Sequence, residues 1–219
     1  MSKEDNMPID VELQENYQRY GTVLLFGDIN PKKAELIRYW LMRLALQHDG
    51  DHIKLIIDSP GGSVPHALML VDLIQSLPKP VVGVVNGECN SMAPVVLQAC
   101  QRRSATKHSR FLLHNISNNA RYSLFDASAR FNADYKLLQE YQEQIIEILR
   151  DKSGLSREKV VELITGGDVV TETHSAQTML GFKLIDEVVD KFEMVRPHQE
   201  NNISQKPQPK KKPRAKLES

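Results

Sequence analysis

The sequence predicts an α/β fold with a mainly parallel sheet. Short apolar runs with strand chemistry recur along the chain, at Gly21–Gly27, Ile53–Ile57, Val81–Val85 and Arg110–His114. Segments with apolar residues at helical spacing separate the first three runs. Glycine, proline and asparagine mark the boundaries. Strands alternating with helices at this spacing make βαβ units. Sites in such sheets gather at the carboxyl ends of the strands.

The elements follow in chain order. Gly21–Gly27 is the first core strand. Asn30 is placed to cap a helix whose first residue is Pro31, a position where a missing N–H costs nothing. Ile37, Trp40, Leu41, Leu44 and Ala45 give that helix one apolar face, so Trp40 belongs to the core. Asp49-Gly50 ends it. The strand Ile53–Ile57 then runs into Ser59-Pro60-Gly61-Gly62. A helix over about 65–77 follows, with His66 as a surface or capping group, and Pro78 and Pro80 mark its end. The strand Val81–Val85 stops at Asn86-Gly87, read as a turn. The apolar run Met92–Cys100 suits a buried helix.

Beyond the strand ending at His114 comes a polar loop over 115–119. The stretch Tyr122–Lys152 has neither proline nor glycine and reads as one long helix. Ser156 is the N-cap expected for a further helix ending at Gly166-Gly167. The first 18 residues are polar and expected to be flexible. From 196 to 219, prolines alternate with Lys206, Lys210, Lys211, Lys212, Arg214 and Lys216, the composition of a disordered basic tail.

Three stretches carry chemistry. Ser91 falls at a strand–turn–helix junction, the place where a nucleophilic serine stands exposed. The competing reading is an ordinary N-cap serine. Gly61 and Gly62 follow a strand, where paired glycines let a backbone come close to a ligand and point N–H groups at it. Such donors stabilise the oxyanion of acyl transfer. His114 closes a short apolar strand, where its ring can face a cleft.

In this order, Ser59–Ser63, Gly87–Ala93 and Phe111–Asn115 resemble the motifs of the proteolytic subunit of the Clp protease, the ClpP family. The resemblance runs from about Gly21 to Val189. It implies a ClpP/crotonase-like fold of repeated ββα-type units with a protruding handle helix, here the Tyr122–Lys152 stretch. The peptidase domain is then 19–195. Matched residue by residue, Ser91 takes the place of the nucleophile and His114 of the general base. The N–H groups of Gly62 and Met92 take the place of the oxyanion hole.

The family's acid precedes a segment of the form S-A-x-x-A-x-x-x-G-L-x-D, and two registers fit. If Ala176 is the second alanine, Asp168 is the acid. If Ser175-Ala176 is the first pair, the position is Thr171, with Glu172 beside it as a substitute. Asp168 is the favoured choice. The resemblance also implies stacked rings of seven subunits and an AAA+ unfoldase ATPase that feeds in unfolded polypeptides. It implies no cofactor and no metal.

Composition agrees. Lys and Arg number 28, as do Asp and Glu, so no global field argues for nucleic acid or a membrane surface. No apolar run approaches the roughly 20 residues of a bilayer span. A charged start without a signal-peptide core, and two cysteines read as buried free thiols, point to the cytoplasm. No phosphate-binding P-loop occurs, so ATP hydrolysis is expected of another chain. Three alternatives stand beside the serine endopeptidase: an inactive structural ring subunit, a crotonase-like acyl-CoA enzyme, and a Ser–Lys dyad using Lys54 or Lys107.

Overall fold

The structure, a computed structural model, describes residues 17, 19–116, 127–165 and 173–191, the side chains of 127–130 excepted. The first 16 residues, residue 18, the basic tail and the Asp168 segment lie outside this set. Among the described residues seven strands form one sheet: β1 (Thr22–Phe26), β2 (Ile53–Ser59), β3 (Val81–Asn90), β4 (Arg102–Thr106), β5 (Arg110–Leu112), β6 (His174–Ser175) and β7 (Glu187–Val189). The path β1-β2-β3-β4-β7 is parallel throughout. β5 runs parallel to β3 and pairs with β6 antiparallel. The expected α/β fold with a mainly parallel sheet is thus present.

Local chemistry sets the helices. In α1 (Pro31–Gln47) Asn30 accepts the Lys33 amide at 2.9 Å, and Trp40 is buried among Ile37, Leu41 and Leu44. α2 (Val64–Ser76) starts after Ser63, whose hydroxyl meets His66 Nδ1 at 2.7 Å but caps no amide, so His66 is held locally at the helix start. α3 (Ala93–Gln98) is buried along its whole length. α4 (Ala127–Ser153) is 27 residues long, about 40 Å. Its later part buries Ile145, Ile146 and Leu149, whereas Phe131, Tyr135 and Leu137 stay exposed. α5 (Arg157–Thr165) begins where Ser156 Oγ accepts the Lys159 amide. α6 (Ala176–Gly181) is capped by Ser175.

Two expectations need correction. Asn86-Gly87 does not end a strand: β3 continues to Asn90. The register jumps from Ile57 opposite Val85 to Ser59 opposite Cys89, so β3 carries extra residues here as a bulge. Gly87 takes φ +128, and a Cβ there would lie 2.3 Å from the Asp58 carboxylate, which instead accepts the Glu88 amide at 2.9 Å. The bulge lets one strand serve two partners. Val82–Val85 pair with β4, and Glu88–Asn90 pair with β5.

The second correction is β4, which sequence reading passed over because Arg102–Thr106 has no apolar run. Buried Arg103 carries it. Its guanidinium pairs with Asp186 at 2.5 Å and also donates to Gln98. Gln98 in turn donates to the Pro94 and Leu184 carbonyls, each at 3.1 Å. Burial pushes the Asp186 carboxyl up, but the hydrogen bonds and charge of Arg103, with Arg102 beyond, outweigh it and hold the group below its usual range. This network clamps α3, the helix that follows Ser91.

Candidate active site

Ser91 stands between the end of β3 and α3 at φ 58, in the left-handed region that a non-glycine residue seldom occupies. Such a conformation costs of order 1–3 kcal/mol and persists only when its surroundings hold it. They do so on both sides. The Ser91 amide donates to the Leu112 carbonyl at 2.7 Å, which ties the turn to β5. The clamped α3 holds the other side. The N-cap of α3 is Met92, and it makes no side-chain cap bond. Ser91 is therefore not an ordinary N-cap serine, and its hydroxyl bonds no other described residue.

The double glycine packs directly against this turn. A Cβ on Gly61 would stand 2.5 Å from Asn90 O, 2.6 Å from Ser91 Cβ and 2.8 Å from Met92 N. Only glycine allows that approach. Buried Ser59 steadies the loop: its hydroxyl donates to Gly27 O at 2.7 Å and accepts the Gly61 amide at 3.1 Å. Ile29 N donates to Gly61 O at 2.7 Å, and Ser63 N donates to Ile29 O at 2.8 Å. This ladder skips the Gly62 amide. Neither Gly62 N–H nor Met92 N–H has an acceptor among the described residues. Two free amides beside a serine are the donor set an oxyanion requires.

His114 lies two residues beyond β5. Its Nδ1 is 2.6 Å from the Asn115 carbonyl oxygen. A carbonyl only accepts, so Nδ1 carries a proton, and in the neutral ring Nε2 is the nitrogen with the lone pair. That is the tautomer a base facing a serine must have. Gly62, Ser91, Met92 and His114 line one cleft of about 100 Å³. Its remaining walls are apolar and include Val95 from α3, Ile145 and Leu149 from α4, and Ile164 from α5. No hydrogen bond joins Ser91 Oγ to His114 among the described residues; such bonds commonly tighten only around substrate.

Of the sequence-predicted residues, four are brought together and one is not described. Asp168, with Thr171 and Glu172, lies outside the described residues. The segment that follows is described from residue 173. Ser175 caps α6 by accepting the Thr178 amide at 3.1 Å. Lys183 takes φ 57 where the pattern has glycine, and the next residue, Leu184, is buried. Asp186 closes the pattern on Arg103. These placements match the pattern when Ser175-Ala176 is its first pair.

Other nucleophiles recede. Cys89 and Cys100 are free and fully buried. Burial pushes the Cys100 thiol up to about 12 against the pull of Arg103 and Lys152, and burial with the neighbouring Cys100 raises Cys89. Lys107 lines a different cleft with Asn86, His108 and Lys191, and Lys54 sits within β2, so neither reaches the Ser91 cleft as a dyad would need. Two contributors escaped sequence reading. They are the Asn115 carbonyl, because a backbone atom leaves no mark in a sequence, and the apolar wall from α4 and α5, because only packing brings it to the cleft.

Comparison with known proteins gives the family. The Clp protease family model matches residues 9–192. The chain is 29% identical over 182 residues, 82% of its length and 86% of the relative's, to ATP-dependent Clp protease proteolytic subunit 3 of Rhodococcus jostii (strain RHA1). It is 30% identical over 156 residues to ATP-dependent Clp protease proteolytic subunit 1 of Chlamydia caviae, covering 70% of this chain and 78% of that one. It is also 30% identical over 140 residues to a proteolytic subunit of Bacteroides fragilis (strain ATCC 25285), covering 63% and 66% of the two chains. The chain belongs to the Clp protease family and is a serine endopeptidase that hydrolyses peptide bonds.

Proposed function

We propose that Ser91 is the nucleophile and His114 its general base. The observation that supports this most is the shared cleft: an uncapped serine at φ 58, a histidine with Nε2 unprotonated, and the free amides of Gly62 and Met92. A serine hydroxyl is a weak nucleophile while its proton stays on. His114 Nε2 takes that proton as Ser91 Oγ attacks the peptide carbonyl, then returns it to the leaving amine. The amides of Gly62 and Met92 hold the oxyanion, and losing one such donor typically costs about 3 kcal/mol of barrier. Water then releases the acyl group from Ser91. The apolar walls favour an apolar side chain next to the scissile bond. A fluorophosphonate probe on the purified protein tests the assignment. Labelling at Ser91 supports it; no labelling of a protein that still cleaves peptides removes it.

The carboxylate proposed to complete the triad is Asp168. Thr171, the position the other register gives, has no charge with which to orient an imidazole. A carboxylate beside the ring adds its charge to the Asn115 carbonyl, which holds Nδ1–H, in stabilising the imidazolium. Asp168→Asn is expected to lower kcat at least about tenfold, with Glu172→Gln within about twofold of wild type. Kinetics on a fluorogenic peptide decides this. The reverse ranking would assign the role to Glu172.

The peptidase unit is proposed to span 19–195 and to assemble into stacked seven-subunit rings in the cytoplasm. Exposed Phe131, Tyr135 and Leu137 on α4 support an association through that helix. Among the described residues no helix is long and apolar enough to cross a membrane. Rings enclose the sites, so an AAA+ unfoldase must unfold larger substrates while short peptides diffuse in. Light scattering should give a mass many times the 24.9 kDa chain. The isolated protein should cut peptides and spare folded proteins. A monomer that cleaves peptides, or digestion of a folded protein without an ATPase, would exclude the enclosed chamber.

A further inference from the structure

Gln142 lies on α4, away from every motif picked out in the sequence, yet its side chain reaches the segment carrying His114. Its Oε1 accepts the Ile116 amide at 3.1 Å. Its Nε2 is buried with no partner among the described residues. A buried donor left unsatisfied is costly, so what keeps an amide here is the bond its oxygen makes.

That bond has a specific consequence. Ile116 N–H and Asn115 C=O belong to one peptide unit, and in a trans peptide they point in opposite directions. One end of the unit is held by Gln142 at 3.1 Å, and the other accepts His114 Nδ1–H at 2.6 Å. Each bond polarises the peptide in the sense that strengthens the other. Without Gln142 the plane can rotate and release the Nδ1 proton, and the tautomer with a protonated Nε2 gains population. We infer that Gln142 is a positioning residue for His114, acting through the Asn115–Ile116 peptide. The inference rests on the reading of His114 as general base. It also links the long helix, through which rings are proposed to stack, to the proton-transfer group.

The test compares Gln142→Met, which keeps the length and removes the acceptor, with Gln142→Glu, which keeps an acceptor. Besides His114, no titratable side chain among the described residues lines the cleft, so each variant is compared with wild type for a displacement of the acidic limb of kcat/KM. Gln142→Met should lower kcat about tenfold with KM within about twofold. Its acidic limb should move to lower pH, because the carbonyl no longer steadies the imidazolium. Gln142→Glu should keep kcat within about threefold and move the limb to higher pH. Unchanged kcat and limb in the Met variant, or equal impairment of both variants, would overturn the inference. If light scattering shows that the Met variant does not assemble, the Glu variant decides alone: an upward shift supports the coupling and an unmoved limb overturns it. His114→Ala on the same peptide separates the two levels. If it stays active, the general-base reading fails. If it is dead while Gln142→Met is normal, only the coupling through Gln142 fails.

Discussion

Ser91→Ala is expected to abolish peptide cleavage while leaving fold and assembly intact. Where a serine and its base act as one unit, removing either lowers kcat by on the order of 10⁶. The loss should fall on chemistry alone. Ser91 Oγ bonds no other described residue, so no structural hydrogen bond disappears with it. The turn is held by the Ser91 amide on Leu112 O and by the packing of Gly61, which alanine keeps. Stability should stay within about 0.5 kcal/mol of wild type. His114→Ala should be equally inactive, since without the ring no described side chain in the cleft can take the proton. A fluorogenic peptide assay beside light scattering measures both parts. Full activity of purified Ser91→Ala would end the assignment.

Gly61→Ala is expected to damage both chemistry and stability. The added methyl meets the Asn90 carbonyl oxygen, Ser91 Cβ and the Met92 nitrogen, all within 2.8 Å, and two of these are backbone atoms with no rotamer to escape into. Gly61 also has φ +94, which alanine tolerates poorly. Overpacking and backbone strain together cost about 2–4 kcal/mol. The relief available is to push the Ser91 turn away from the glycine loop. That separates the nucleophile from the Gly62 amide, and a misplacement of about 1 Å costs about 100-fold in rate. Gly181→Ala is the control, because a Cβ there meets nothing within 4 Å. Denaturant midpoints and fluorophosphonate labelling rates give the comparison. Wild-type labelling by Gly61→Ala would show that the turn does not depend on this contact.

Much of the fold was legible where one residue type has one physical use. Asn30 before Pro31 announced α1, and Ser156 announced α5. The strands β1 and β2 were plain from their branched apolar runs. β4 was not, because its burial depends on Arg103 finding Asp186 across 83 residues. Asn86-Gly87 misled for a related reason. The pair favours a turn locally, but Asp58 accepting the Glu88 amide turns it into a bulge in a continuing strand.

The same division runs through the site. Ser91, His114 and the glycine pair could be picked from the sequence because each sits at a strand end, and a parallel sheet brings those ends to one edge. The sequence by itself determined that edge and the chemical types upon it. Only the tertiary structure decided which His114 nitrogen bears the proton, because that turns on a backbone carbonyl, which every residue has. Only tertiary structure showed the left-handed backbone at Lys183, because nothing in a lysine announces it. It alone brought Gln142 and the apolar wall of α4 to the cleft. Such contacts come from how a helix packs, and packing follows from the summed burial of many side chains rather than from the identity of any one.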